Sequence, residues 1–372
     1  MTLRAVLAGA GHAHLQLIAN ADALRRSGVA PVLISPAVFR YSGLASGVLS
    51  GAVEPEEAEI DVAALARHHG VEHRIGEIET VDLHNRTISA AGGATLAFDA
   101  VSFNVGSEVR TPAALDGVAG IWPVKPLAGL LALRRHLEAV FAAERRCPAL
   151  VVAGRGQTGY EVTAALAGLC ERHGIAPRLT LAGPAESVQW APRAAVARLE
   201  TLLARRGIAI VSDGVADLAD GRCRLASGRT LTCDALVLAT GLAAPPLIAS
   251  LGLPVDDRGR LLTTPMLNAA ADPRVFGAGD CATIEAAPRP FAGVFGVRSA
   301  GILAGNLSAL AQGGPLGSYR PQARWLAIMD LGDGTGLAMR GGRWWLGRPA
   351  LALKRWIDRR FIARYRRRGG GP

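Results

Sequence analysis

The sequence predicts an α/β fold in which a strand, glycine turn and helix unit occurs twice, with a basic amphipathic segment at the end. Three observations carry this. Leu3 to Ala8 is an apolar run ending in Gly9-Ala10-Gly11-His12-Ala13-His14, and Pro148 to Ala153 is another ending in Gly154-Arg155-Gly156-Gln157-Thr158-Gly159. Each leads into a helix-compatible stretch, Leu15 to Arg26 and Tyr160 to Arg172. A further pattern repeats with them: Leu96 to Gly106 matches Leu231 to Gly241, with the glycine turns 145 residues apart and the closing glycines 135.

After the first helix, Pro31 to Ser35 reads as the second strand of a βαβ unit. Arg40 to Gly51 is too rich in small residues for a regular element and reads as a loop or a backbone pressed against a flat ligand. Asp61 is the expected N-cap of a helix from Val62 to His69. Short β-type runs follow (His73 to Val81, Thr87 to Ala90, Thr95 to Phe98, Ala100 to Val105), and Leu127 to Arg145 is an amphipathic helix entered past Pro123-Val124-Lys125-Pro126. In the second unit, strands Arg178 to Ala182 and Ile208 to Val211 flank a helix from Pro192 to Arg206. Val275-Phe276-Gly277 is a last short strand, running into Ala278-Gly279-Asp280.

A glycine turn opening a helix suits a pyrophosphate: small residues admit the backbone close to the phosphates, and the positive helix end faces the anion. The first copy lacks the third glycine of GxGxxG, having His14 there; the second copy is complete. Two such units in one chain predict two bound dinucleotides. The second strand of such a unit usually ends in an acid for the ribose. Neither does here: the first offers Ser35, the second Ala182-Gly183-Pro184 with Glu186 nearby, so NADH and NADPH stay undistinguished. Asp280 is either a carboxylate for sugar hydroxyls or a helix N-cap.

Half of the 372 residues are hydrophobic, enough for two or three cores, and no run approaches the length of a membrane span. Five dispersed cysteines, an odd number without a CxxC, argue against a disulfide scaffold and a zinc site, and no metal is expected. With no basic-then-apolar leader at Met1, the expected compartment is the cytoplasm. From Gly341 onward, ten basic residues face the single acid Asp358, which accounts for almost all of the net charge of +10. Leu353, Trp356, Ile357 and Phe361 fall near one helical face there, flanked by Trp344, Trp345 and Tyr365, as in a helix lying in an anionic membrane interface. A packed helix with solvated arginines is the alternative. With no recognition module elsewhere, nucleic acid is not the expected partner.

Gly9 to His14, Gly154 to Glu161, Ala239-Thr240-Gly241 and Gly277 to Ala282, in that order, resemble the FAD-dependent pyridine nucleotide-disulfide oxidoreductase superfamily. Within it the chain resembles the type II NADH dehydrogenase-like branch. Gly11 to His14, Tyr41-Ser42-Gly43, Glu56-Glu57 through Ile60-Asp61, Pro123 to Pro126 and Ala292-Gly293-Val294 resemble the group found fused in front of selenide, water dikinase.

The resemblance implies two Rossmann-like domains: a discontinuous FAD domain (1–112 and 242–315), a linker helix region (113–146), an inserted NAD(P)H domain (147–241) and a C-terminal interface with the basic tail (316–372). FAD would be held by Gly9, Gly11, His12, Ala13, Ser35, Gly106, Gly279 and Asp280, with Gly293 and Val294 opening a helix aimed at the flavin. NAD(P)H would be held by Gly154, Gly156, Gly159 and Gly241. Glu161 would lie by the nicotinamide pocket and Lys125 near the cofactor, the two candidate catalytic side chains. The expected acceptor is a quinone, reached by peripheral contact of 344–368 with the cytoplasmic face of the inner membrane; a homodimer is compatible with this. A soluble flavin reductase for a protein or selenium-compound acceptor, and a flavin-binding sensor without turnover, are the alternatives. No two cysteines have the CxxxxC spacing of disulfide reductases. A sulfide:quinone oxidoreductase would also need redox cysteines that meet in space; Cys147 and Cys170 are candidates in principle, with buried, inert thiols the expected state.

Overall fold

The computed structural model describes residues 2–93 and 95–366. The first unit comprises β1 (Leu3–Ala8), α1 (His12–Ile18), β2 (Val29–Ser35), α2 (Ala45–Leu49), β3 (Glu72–Ile75) and β4 (Ala100–Phe103). The second comprises β5 (Ile121–Pro123), α3 (Leu127–Glu144), β6 (Leu150–Ala153), α4 (Gln157–Arg172), β7 (Leu179–Ala182), α5 (Arg193–Arg205), β8 (Ala209–Val211) and β9 (Ala235–Leu238). The chain then returns to the first unit with β10 (Val275–Gly277) and α6 (Gly293–Gln312).

Both main sheets are five-stranded and parallel, in the orders β10-β4-β1-β2-β3 and β5-β9-β6-β7-β8. Pairing of β10 with β4 closes the first sheet with residues from beyond the insertion, which makes that unit discontinuous. The region read as a linker does more than link. Its strand β5 pairs with β9 at the edge of the second sheet, and α3 packs into the same core through Leu130, Leu133, Leu137 and Phe141. Strands buried on both faces explain the near-continuous apolar runs.

Three local expectations change. The run from Leu15 to Arg26 is two helices, because Asn20 leaves helical geometry and donates from Nδ2 to the Gln16 carbonyl at 2.7 Å. Arg40 to Gly51 is ordered, folding as a 3-10 turn and α2. Gly43 gives room to the Tyr41 ring there, and Gly47 to Val53. The β-run from His73 to Val81 is broken at Gly76 into two strands belonging to different sheets. Asp61 caps its helix as expected, with Oδ1 accepting from the Ala64 amide.

Among the described residues one helix, α6, is long and apolar enough to cross a bilayer. It packs on α1 with Gly296 against His12 and Ala13, and its Ala300 and Leu303 share the core of that helix. Buried Asn306 donates to the carbonyls of Met266 and Gly317, as in a core helix. A three-stranded antiparallel ribbon (Leu326–Asp330, Gly336–Arg340, Arg343–Gly347) leads to α7 (Arg348–Arg366), which lies across it.

Candidate functional site

The first cradle is built around Asn104, just past β4. Its backbone oxygen accepts from the Gly11 amide at 3.0 Å, its Oδ1 accepts from the Ala13 and His14 amides at 2.9 and 3.2 Å, and its Nδ2 donates to the Ala278 carbonyl at 2.6 Å. A Cβ on Gly9, Gly11 or Gly279 would stand within 2.7 Å of Asn104 atoms, so only glycine fits at each. The amides at the start of α1 are thereby not all open to an anion. Asn104 takes those of Ala13 and His14 but not that of His12, and the helix dipole remains.

His14 explains the missing third glycine. It is fully buried, its Nδ1 donating to the Gly9 carbonyl at 2.6 Å and its Nε2 accepting from Ser102 Oγ at 2.8 Å. Burial, opposed only by the Gly9 hydrogen bond, pushes its pKa down to about 4, so the ring is neutral. In the second unit, a Cβ on Gly159 would lie 1.7 Å from the Gly154 oxygen, the corresponding carbonyl. One unit braces that carbonyl with an imidazole. The other packs bare backbone against it.

Asp280 belongs to a three-residue network and is not a helix cap. Lys125 Nζ donates to Asp280 Oδ2 at 2.7 Å and to Ser107 Oγ at 2.7 Å, and Ser107 Oγ donates to the same carboxylate oxygen at 2.7 Å. Burial works against its charge, yet Lys125 and these hydrogen bonds hold the carboxyl below the usual range. His12 stands beside this network. Burial pushes its pKa down to about 4, with Asp280 pulling it up and Lys125 down. Gly293, the first residue of α6, faces His12: a Cβ there would meet Nε2 at 3.1 Å. Val294 follows it, half-buried.

Ser35 lies at the end of β2 as expected, but its hydroxyl is spent on the Pro36 carbonyl and on His73, and the residue is 1% exposed. Gly106 and Gly241 close their strands with φ of +81° and +123°. The second cradle, Gly154 (φ +117°), Gly156 at the N-cap of α4 and Gly159, has the full glycine geometry.

Glu161, on the first turns of α4, leaves the second unit to meet the first. It accepts from Ser46 Oγ at 2.8 Å and from the Asp330 amide at 3.0 Å. Burial raises its pKa against the pull of Lys354. Lys354 and Asp358 form an ion pair of 2.9 Å one turn apart on the inner face of α7, and Tyr41 OH donates to Asp358 Oδ1 at 2.9 Å. The Lys354 ammonium also donates to the Gly43 carbonyl. Ser46, Glu161, Asp330, Lys354 and Asp358 thus connect α2, α4, the ribbon and α7. The sequence placed Glu161 alone in this group, because its partners are distant in the chain. Asn104 and Ser107 were likewise signalled only as neighbours of the repeated strand-end glycine.

The basic segment divides differently from its sequence reading. Phe361 turns inward, stacked on Tyr41 at 4.5 Å and 5.4 Å from the His12 ring. Trp356 and Ile357 face out, 59% and 36% exposed, beside exposed Arg359, Arg360 and Arg364; Trp345 on the ribbon is 41% exposed. Arg367 and Arg368 lie outside the described residues. Cys147 and Cys170 do meet, with Sγ atoms 3.6 Å apart, but fully buried. They sit before β6 and near the end of α4, at the opposite end of the sheet from the Gly154 turn.

A family model described as pyridine nucleotide-disulphide oxidoreductase matches residues 4–297. A curated NADH dehydrogenase-like protein of Mycobacterium tuberculosis is 28% identical over 228 residues, covering 57% of this chain and 56% of that protein, so the match spans about half the length of the relative. Among solved structures, NDH2 of Plasmodium falciparum in complex with NADH superposes with a TM-score of 0.83 at 14% identity, covering 98% of this chain and 97% of that one. The sulfide:quinone oxidoreductase of Aquifex aeolicus superposes with a TM-score of 0.82 at 17% identity, covering 99% and 92%. These likenesses establish the fold over nearly the whole chain.

Proposed function

The chain belongs to the pyridine nucleotide-disulphide oxidoreductase family, and on that premise we propose that it is an FAD-dependent NAD(P)H dehydrogenase delivering electrons to a quinone at a membrane surface. The carrying observation is the pair of glycine cradles in one chain, each a strand, a tight glycine turn and a helix start; at Gly156, the N-cap of α4, a Cβ would meet no protein atom within 4 Å, so room for a ligand rather than packing accounts for that glycine. Bound in the first cradle, FAD would supply hydride acceptance and electron delivery, chemistry for which no protein side chain substitutes.

The chain's own residues hold and tune. Gly9 and Gly11 admit the pyrophosphate, and the positive end of α1 favours its charge. Asp280, held ionised by Lys125 and Ser107, would be the carboxylate that accepts from the hydroxyls of the sugar-alcohol chain. The start of α6 at Gly293 lends its dipole to negative charge on the ring side of His12. Gly154, Gly156 and Gly159 hold NAD(P)H, and Glu161 positions the contact between the two units. Trp345, Trp356, Ile357 and the outward arginines of α7 suit the cytoplasmic face of an anionic membrane, where a quinone is at hand. The NADH dehydrogenase-like relative and the quinone-linked fold neighbour support this reading.

The test is an anaerobic titration of the FAD-loaded protein. Loss of the flavin's visible absorbance with NADH or NADPH, and its return on adding a short-chain quinone, is expected. No loss with either nucleotide overturns the dehydrogenase reading. Reoxidation by a protein or selenium compound and not by quinone moves the acceptor to the finer group that Gly11 to His14 and Pro123 to Pro126 resemble.

A further inference from the structure

The adenosine end of the second cradle is built without the side chain that usually decides between the two nicotinamide cofactors. Such units end their second strand in an acid for the ribose hydroxyls, or carry a basic group for a 2′-phosphate. Here β7 ends at Ala182 and Gly183 follows. A Cβ on Gly183 would stand 2.8 Å from the Arg155 nitrogen and 3.2 Å from its Cγ, so the position admits no side chain.

Arg155, a variable residue of the glycine motif, therefore lies directly under the strand end, 6% exposed. Its guanidinium donates to Ser212 Oγ at 2.6 Å, to Glu200 Oε1 at 2.7 Å and to Tyr160 OH at 3.2 Å. Tyr160 OH donates to the same Glu200 oxygen, and Trp190 Nε1 donates to the Arg155 carbonyl at 3.2 Å.

We infer that the Arg155–Glu200 pair, with the arginine buried and the glutamate side chain 32% exposed, makes the second unit select NADH over NADPH, on the reading that a nicotinamide nucleotide is the hydride donor. Glu200 matches the charge of Arg155, and Ser212, Tyr160 and Glu200 accept from Nε and both terminal nitrogens of its guanidinium. A 2′-phosphate brought there adds negative charge beside Glu200 and exposed Glu186 with no free cation in that pair to receive it. A 2′-hydroxyl brings no charge and meets main chain at Gly183.

Calorimetry of the FAD-loaded protein with ADP-ribose and with 2′-phospho-ADP-ribose reads this end alone. ADP-ribose is expected to bind tighter on the order of ten- to hundredfold. Glu200→Gln keeps the hydrogen bonds but removes the opposing charge, and narrows the preference about tenfold while flavin absorbance confirms the fold. Arg193→Ala, at the exposed start of α5, leaves the preference in place. Equal affinities in the wild type, an unchanged preference in Glu200→Gln, or a preference lost in Arg193→Ala overturns the inference. Because ADP-ribose lacks nicotinamide, selective binding without flavin reduction by NADH sinks the dehydrogenase reading alone. Reduction by NADH and NADPH with equal KM sinks the selectivity alone.

Discussion

The His14 ring donates from Nδ1 to the Gly9 carbonyl at 2.6 Å, bracing the oxygen whose counterpart in the second unit, on Gly154, leaves room only for a glycine at position 159. The side chain joins the glycine loop to β4 through Ser102, so it holds the cradle from beneath. His14→Gly removes both hydrogen bonds and leaves a cavity, and is expected to lower stability by about 2–4 kcal/mol. Urea unfolding of the FAD-loaded protein measures this, together with faster flavin release. A variant as stable as the wild type would show the brace to be idle.

The same burial fixes a pH dependence. His12 and His14 both have folded pKa values pushed down to about 4 from the ordinary 6.5. Between those values the unfolded chain binds protons that the folded chain does not, so stability rises with pH across that window. It is lost as pH falls from about 6.5 to about 4, at most roughly 3 kcal/mol for each ring. His14→Gln should lower the slope of unfolding free energy against pH in that window by the share of one ring, with His12 and the also lowered His73 keeping the rest. An unchanged slope would mean that His14 takes up its proton in the folded state.

What was legible in the sequence was what is local or repeated. Both glycine turns, the strands leading into them and the second copy of Leu96 to Gly106 follow from patterns within a dozen residues, and all fold as read. The network of Asp280 with Lys125 and Ser107 joins positions up to 173 residues apart, and nothing periodic marks such a meeting. The motif around Lys125 marks that residue, whereas Ser107 carries no signal, since a serine after a turn glycine looks like any loop residue. Phe361 was placed on the outward face because helical spacing gives an apolar stripe but not its direction. The direction is set by Tyr41 and His12, which come from the first unit.

Lys125 and Asp280 should be energetically coupled. Asp280→Asn leaves Lys125 without its counter-charge and removes an acceptor, and is expected to weaken FAD retention roughly tenfold or more. Lys125→Met should also weaken it, and the double variant by less than the sum of the two, with a coupling of about 1–3 kcal/mol. Flavin fluorescence released on dilution gives the dissociation constants. Additive losses would place Lys125 outside the network that positions Asp280.

The outward face of α7 predicts a salt-sensitive membrane affinity. Arg359, Arg360 and Arg364 each contribute about 1 kcal/mol near an anionic surface, so replacing all three by glutamine should reduce partition onto phosphatidylglycerol vesicles on the order of a hundredfold. Trp356→Ala should weaken binding further, without abolishing salt dependence. Co-sedimentation at low and high salt measures both. Equal recovery of wild type and triple variant in the supernatant would make this face an ordinary solvated one.

The inner face of α7 carries the opposite prediction, about stability. Lys354 and Asp358 are buried together, with side chains 10% and 6% exposed. Burial would lower the lysine pKa, but Asp358, then Glu161 and Asp330, hold it up. Removing one partner strands a buried charge, so Lys354→Met is expected to cost about 3–5 kcal/mol. Lys354→Met with Asp358→Asn should recover part of that, because Asp358 no longer carries a stranded charge, while Glu161 and Asp330 still lack the ammonium. The loss should be local before it is global: α7 is held to Tyr41 and Gly43 of the first unit by these same groups. Limited proteolysis should therefore cut Lys354→Met ahead of Arg348, and the double variant more slowly. If both are cut alike, the ion pair does not hold the helix, and the stacking of Phe361 on Tyr41 is what seats it.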